Sequence, residues 1–247
     1  MGEDLDGRKV LVTGGTRGIG RAIATAFLAA GAEVVVCGRG EPDSLPEAGG
    51  RRARFAAADV RDAAACRTLV RQCGRLDVLV NNAGGSPAAE AAEVSPRFVD
   101  KVVALNLLAP FYLAQAACQV MRRQPDGGCV INIGSVSAHQ PAPGTAAYSA
   151  AKAGLLMLTR ALALEWAPQV RVNHVTVGMV ATEAAADHYG DVAALNGVVP
   201  MGRLASPADV AAACLFLASK QAAYVTGADL AVHGGGEVPS RFLAAGG

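Results

Sequence analysis

Aromatic residues make up only 4% of this 247-residue sequence and charged residues only 17%. So few aromatics leave no surface on which nucleic-acid bases would stack. The formal net charge is +1, which gives no general electrostatic case for nucleic acid or an anionic membrane. Arg51, Arg52 and Arg54 form the one tight basic cluster, and so short a cluster reads as a solvated loop. No uninterrupted apolar run reaches the ~20 residues of a membrane helix. The acidic start, Met1-Gly2-Glu3-Asp4-Leu5-Asp6, has no apolar signal core. Cys37, Cys66, Cys73, Cys118, Cys129 and Cys214 form no C-x-x-C pair and mostly sit in apolar segments, as reduced, buried thiols do. A cytoplasmic protein is expected. His139, His174, His188 and His233 give no H-E-x-x-H spacing, so no metal site is expected. Ser135 has His139 nearby but no G-x-S-x-G elbow, which argues against a serine hydrolase. No linker, repeat or change of composition divides the chain, so residues 1–247 read as a single domain.

What the sequence does have is a large apolar fraction, 52%, organised around one glycine turn. Thr13-Gly14-Gly15-Thr16-Arg17-Gly18-Ile19-Gly20 follows the apolar run Val10-Leu11-Val12 and precedes a segment with helical apolar spacing. The glycines therefore lie on a strand-to-helix turn, where they permit a tight bend and close approach of a ligand. The free N–H groups and partial positive charge of the helix start suit a pyrophosphate.

Strands and helices then alternate. Apolar strands are expected at Ala32–Cys37, Arg54–Ala58, Leu76–Val80, Gly128–Ile133, Val170–Val175 and Asp229–Val232. Helices are expected at Asp62–Cys73, at about Pro96–Arg123 with a bend near Pro110, at Tyr148–Trp166 and at Pro207–Ser219. Between Gly38 and Gly50 the glycines and prolines allow at most one helical turn, around Ser44–Ala48. Such alternation predicts an α/β fold with a doubly wound, seven-stranded parallel sheet.

In that architecture a ligand sits beyond the carboxyl ends of the strands. Gly14–Gly20, Arg39, Asp59, Asn82, Ser135 and Gly178 all fall at such ends, which strengthens the case for a dinucleotide. The second strand ends Cys37-Gly38-Arg39, with no carboxylate to hold the ribose 2′-hydroxyl of NAD. Arg39, joined by Arg17, would instead hold a 2′-phosphate, so NADP(H) is expected ahead of NAD(H). Glu41, two residues on, would blunt that preference.

Tyr148 and Lys152 are spaced i, i+4 and share one helical face. A phenol ordinarily titrates near ~10. A neighbouring ammonium and an oxidised nicotinamide both favour the phenolate and bring that value down. Ser135 adds a hydroxyl to hold the reacting carbonyl or alcohol oxygen.

With Thr13–Gly20, Asp59-Val60, Asn81-Asn82-Ala83-Gly84, Asn106, Ser135, Tyr148 and Lys152 in this order, the chain resembles the classical short-chain dehydrogenase/reductase family over nearly its whole length. The resemblance implies a Rossmann-type single domain with strand order 3-2-1-4-5-6-7 and hydride transfer at a nicotinamide. It implies a catalytic tetrad of Asn106, Ser135, Tyr148 and Lys152, with Asn106 positioning a proton-relay water on the lysine. Cofactor contacts are implied at Gly14, Thr16, Arg17, Gly18, Ile19, Gly20, Arg39, Asp59, Val60, Asn82, Ala83, Gly84, Tyr148, Lys152, Gly178, Val180 and Thr182. Asp59-Val60 would face the adenine and Thr182 the carboxamide. The implied reaction is ketoreductase-like, on a 3-oxoacyl or other neutral ketone, in a homotetramer or homodimer.

The chain departs from the family pattern in having Val177-Gly178 for Pro-Gly and His233-Gly234-Gly235 for Asp-Gly-Gly. The alternative reading is a non-catalytic, nucleotide-binding partner subunit. Residues 179–206 are long for a connection, mostly small and apolar, and read as a substrate lid. Glu183 and Asp187 make that lid a poor seat for an anionic substrate, and Arg203 would anchor its far end. His188 is expected on the surface. Apolar surplus on Val102–Val120 and Tyr148–Trp166 is expected to form a subunit contact.

Overall fold

A computed structural model describes residues 5–185 and 195–237. The apolar runs found in the sequence become strands: β1 (Lys9–Thr13), β2 (Glu33–Gly38), β5 (Arg54–Ala57), β6 (Val78–Asn81), β7 (Gly128–Ile133), β8 (Val170–Val177) and β9 (Asp229–Val232). They form one sheet in the order β5-β2-β1-β6-β7-β8-β9, and every pairing is parallel. This is the doubly wound, Rossmann-type order, reversing direction between β1 and β6.

Because side chains alternate along a strand, each run of valines feeds two cores. Val10, Val12, Val34, Val36, Val80 and Ile131 face α1 (Gly18–Ala29) and α6 (Pro207–Ala218), meeting Ile23, Phe27, Cys214 and Leu217. Leu11, Val35, Leu79, Val130 and Val172 face the opposite layer of α2 (Ala63–Cys73), α4 (Ala109–Met121) and α5 (Ala146–Trp166). There they meet Leu69, Leu113, Met121, Leu162 and Trp166. All six cysteines are buried and free.

Local chemistry sets the helix starts. Asp62 caps α2 by accepting from the Ala64 and Ala65 N–H groups, at 2.6 and 3.0 Å. Ser95 caps α3 (Pro96–Val103), and Ser206 with Asp209 forms a capping box on α6, both with proline in the first turn.

Two local features go beyond what the sequence predicts. The stretch between β2 and β5 holds no helical turn at Ser44–Ala48. It forms a small antiparallel hairpin, β3 (Glu47–Ala48) with β4 (Arg51–Arg52), turned by Gly49 and Gly50 at φ 57° and 71°. The expected bend near Pro110 is a wider helical turn just before it. Residues Ala104–Leu108 make π-type bonds between α3 and α4, with Ala109 N–H donating to Ala104 O. The whole run Pro96–Met121 is long and apolar enough, by length and composition, to cross a membrane, but half of its apolar window is buried in the fold.

Candidate active site

The carboxyl ends of β1 and β6 are locked together by side chains of the motifs that lie there. The Thr13 hydroxyl accepts from the Asn82 and Ala83 N–H groups, both at 2.9 Å. The Asn82 amide donates back to Thr13 O at 2.9 Å and Gly14 O at 3.3 Å. Glycine is required in the turn itself. Gly14 and Gly18 have φ of 61° and 50°, and a Cβ on Gly20 would overlap Gly14 O. No side chain caps α1, whose N-cap residue is Arg17. Thr16, Gly18 and Ile19 border that uncapped end, partly exposed. A glycine cradle before an uncapped helix start fits the pyrophosphate of a dinucleotide.

Arg17 and Arg39 are both exposed, at the ends of adjacent strands β1 and β2, with Glu41 also exposed. Asp59 and Val60 follow β5. The Asp59 carboxylate accepts from Arg61 at Nε (2.9 and 3.2 Å) and Nη2 (2.6 Å). That guanidinium pairing, with Arg39 adding to it, brings the Asp59 carboxyl down to about 2. Sequence reasoning missed Arg61; an acid and an arginine two residues apart at a strand end was the available signal.

Lys152, on α5, is 4% exposed, and its ammonium donates to Ile133 O at the end of β7, at 2.8 Å. Its Nζ lies 5.7 Å from the centre of the Tyr148 ring. Burial pushes its pKa down to about 8. Asn106 is fully buried in the π-type turn. Its amide is used on every side: Oδ1 accepts from Gly85 N–H at 2.9 Å, and Nδ2 donates to Gly85 O at 3.0 Å and Val102 O at 2.9 Å. Gly84 runs between these groups. A Cβ there would come 2.8 Å from Asn106 Oδ1 and 3.3 Å from Lys152 Nζ. Ser135 caps the short 3₁₀ turn Val136–Ala138, accepting from Ser137 N–H at 3.1 Å. Asn106, Ser135 and the α5 pair Tyr148 and Lys152 thus come from three segments to one end of the sheet.

Gly178 packs against His233, where a Cβ would come within 2.8 Å. The departure at His233 therefore packs against the glycine that follows the departure at Val177. The 179–206 connection is pinned at both ends: Val180 bridges Ala205, with Ala181 N–H to Ala205 O at 2.8 Å and Ala205 N–H to Met179 O at 3.0 Å. Thr182 lies over the glycine turn, its Cγ2 3.6 Å from where a Gly18 Cβ would be. Arg203 pairs with Asp209 at 2.7 and 3.2 Å, anchoring the far end to the α6 cap. Residues 186–194 of the expected lid, including Asp187 and His188, lie outside the described residues.

A cavity of about 260 Å³ opens beside Tyr148, lined by Ser86, Ala89, Val94, Phe98, Val99 and Ala147 among others. Ala89 N–H closes it by donating to Gly144 O at 3.0 Å. Among the described residues no charged side chain lines it. The 86–99 segment was not singled out in the sequence, because its apolar residues have no distinctive spacing. Among the described residues no cluster of three metal-ligating side chains occurs.

Comparison with known proteins agrees with this geometry. Residues 14–237 match the family model described as enoyl-(acyl carrier protein) reductase. The chain is 38% identical over 245 residues to D-threitol dehydrogenase of Mycolicibacterium smegmatis, covering 94% of this chain and 93% of that one. It is 35% identical over 240 residues to a 3-oxoacyl-[acyl-carrier-protein] reductase of Vibrio harveyi, covering 94% and 98%. A short-chain dehydrogenase/reductase from Serratia marcescens superposes with a TM-score of 0.86 at 33% identity, covering 94% of this chain and 98% of that one. The chain belongs to the classical short-chain dehydrogenase/reductase family, and is an oxidoreductase of that type using a nicotinamide cofactor.

Proposed function

We propose that the chain is an NADP(H)-dependent ketoreductase, interconverting a neutral ketone and its secondary alcohol. The observation that carries this reading is the buried Lys152 ammonium beside Tyr148, at the end of the sheet where Ser135 and Asn106 also lie. When bound, the nicotinamide supplies or accepts the hydride. The Ser135 hydroxyl donates to the substrate carbonyl oxygen and fixes its position. The Tyr148 phenol gives that oxygen its proton, and the nearby Lys152 charge lowers the cost of leaving a phenolate. Asn106 holds the π-type turn open beside Lys152, and a relay water carries the proton onward from there.

Arg39 and Arg17 would hold the 2′-phosphate, the α1 start the pyrophosphate, Asp59 and Val60 the adenine, and Thr182 the carboxamide. The cavity beside Tyr148, whose described lining carries no charge, and the apolar connection 179–206 favour a neutral, largely apolar substrate body. V. harveyi 3-oxoacyl-[acyl-carrier-protein] reductase is a relative with an activity of this kind. Met157 and Leu164 on α5 are 60% and 86% exposed, which favours assembly into a dimer or tetramer through that helix.

The test follows nicotinamide absorbance with a panel of neutral ketones and anionic keto acids, using NADPH and NADH. Neutral ketones should be reduced, and NADPH should bind about 10-fold to 100-fold more tightly than NADH, the range expected for charged hydrogen bonds to a phosphate. Arg39→Ala should erase most of that preference. Equal dissociation constants in the wild type, or a clear preference for keto acids, would overturn the corresponding part of the reading.

A further inference from the structure

Asn81, Asn132, His174 and Asp229 stand in register on β6, β7, β8 and β9. This polar row crosses four strands of the sheet, from the last residue of β6 to the first of β9. Asn81 donates to Asn132 at 2.9 Å, and Asn132 donates to Thr159 of α5 at 2.9 Å. The far half of the row has a different construction, because its last member is a carboxylate. Asp229 Oδ1 accepts from the Thr176 hydroxyl at 2.6 Å and from His174 Nδ1 at 2.7 Å. Asp229 Oδ2 accepts from His139 Nε2 at 2.9 Å. His139 Nε2 also lies 3.3 Å from the Thr176 hydroxyl.

We propose that Asp229 and His139 are positioning residues, which hold Ser135 in place by tethering its turn to the last strand of the sheet. The inference rests on the reading of Ser135 as the hydroxyl that holds the reacting oxygen. An ionised carboxylate only accepts hydrogen bonds, so both imidazoles present N–H to it. His174 is then the Nδ1–H tautomer, and its Nε2 is buried without a hydrogen-bond partner. That ring fills the space beside Gly134, where a Cβ would overlap it. Gly134 is the residue between Ile133, which binds Lys152, and Ser135. Burial holds the His174 pKa down against the pull of Asp229, so the ring stays neutral and adds no second cation near Lys152.

His139 closes the other side. It lies just past the 3₁₀ turn, where Ala138 N–H donates to Ser135 O at 3.0 Å and His139 N–H to Val136 O at 2.9 Å. The turn orients the Ser135 hydroxyl through Ser137 N–H. A load path therefore runs from β9 through Asp229 and His139 to Ser135. His139 is exposed, so its bond to Asp229 adds little to stability. Its geometric effect is a separate quantity, because small misplacement of a reacting group costs rate steeply.

The experiment compares Ser135→Ala, His139→Ala, His139→Gln and Asp229→Asn in ketone reduction with NADPH. It also measures NADPH dissociation constants, melting temperatures and amide exchange across residues 136–140. His139→Ala should lower kcat about 10-fold, leave NADPH binding and melting temperature near wild type, and speed exchange in the turn. His139→Gln, whose side-chain amide reaches the same carboxylate, should recover most of kcat. Asp229→Asn should resemble His139→Ala, and the double variant should be no worse than the poorer single one. A kcat for His139→Ala within twofold of wild type, or a loss that glutamine does not recover, overturns the proposal. Should Asp229→Asn fail to fold, the two His139 variants decide alone. An inactive Ser135→Ala with an active His139→Ala removes only the tether, whereas an active Ser135→Ala removes the serine reading and the tether with it.

Discussion

Asp77 and Lys152 each bury a charge against the same sheet, one at its amino end and one at its carboxyl end. Asp77, just before β6, is 3% exposed and fully answered. It accepts from Arg75 Nη2 at 2.8 Å and Nε at 3.0 Å, from Arg8 at 3.1 Å and from Lys9 N–H at 2.8 Å. Burial pushes its carboxyl up, but those donors outweigh burial and hold it below the usual range. Lys152 has burial as the cause of its shift, although its ammonium donates to Ile133 O. The first charge is compensated and ties β1, β6 and their loops together. The second is left under-compensated, which fits the catalytic role proposed for it.

The largest effect should come from breaking the carboxyl-end charge. Lys152→Met should reduce turnover by about 10²–10⁴-fold, the usual worth of acid–base assistance, while NADPH still binds. Asp77→Asn should leave kcat per folded molecule within about twofold. Comparable losses of turnover in the two variants would collapse the distinction between the two ends.

Stability should show the reverse order. Asp77→Asn replaces a charged acceptor by an amide facing two guanidinium groups and a backbone N–H. The expected loss in unfolding free energy by urea titration is about 2–3 kcal/mol. The lower part of the range for buried pairs applies because the Arg8 and Arg75 side chains are 25% and 54% exposed. With the folded pKa below the unfolded one, the contribution of Asp77 is present above the unfolded value of ~3.9 and fades as pH falls through the folded one. The gap between variant and wild type should therefore narrow in acid. A gap that persists unchanged at the lowest pH at which the protein stays folded would mean that packing, not charge, is lost.

These two ends were not equally legible in the sequence. Tyr148 and Lys152 were readable because helical spacing puts i and i+4 side by side, and the glycine turn because only glycine tolerates its backbone. The partners of Asp77 and Asp59 were not, since ion pairing depends on side-chain directions that periodicity does not encode. The Glu47–Arg52 hairpin escaped because two-residue strands have no period to detect, although Gly49-Gly50 is a hairpin-turn dipeptide. The irregular turn at Ala104–Leu108 was assigned to Pro110, whereas Asn106 is clamped there by Gly85, twenty-one residues distant. The register that brings His174 beside Asp229 comes from the sheet, and no local signal announces it.

A smaller effect separates the ends by pH. Lys152 titrates near 8 in the fold against 10.5 ordinarily, so its charge opposes folding below about pH 8. Between those values the unfolded chain binds the proton and the folded chain does not, so the lysine's penalty shrinks as pH rises. Lys152→Met should therefore melt a few degrees above wild type at pH 7, and the two should converge towards pH 10. About 1 kcal/mol corresponds to roughly 2–4 °C in a chain of this size. A variant that melts below wild type at pH 7 would show that the bond to Ile133 O outweighs the burial of the charge.

The smallest effect sharpens the description of the amino end. Asp126 lies 3.4 Å from Arg8 and 3.9 Å from Arg75, the same two cations that hold Asp77, yet its side chain is 60% exposed. By distance alone it belongs to the cluster. By solvation it does not, because water and salt already screen a carboxylate so exposed. Both guanidinium groups also have Asp77 at shorter range, so losing Asp126 leaves neither without an anion. Asp126→Asn should change the unfolding free energy by less than about 0.5 kcal/mol, and raising the salt should remove what difference there is. A loss comparable to that of Asp77→Asn, resistant to salt, would mean that the four charges act as one unit and that exposure is the wrong way to rank them. Against the Asp77 result, a near-zero effect would assign the stabilisation to the one carboxylate whose hydrogen bonds are made out of water.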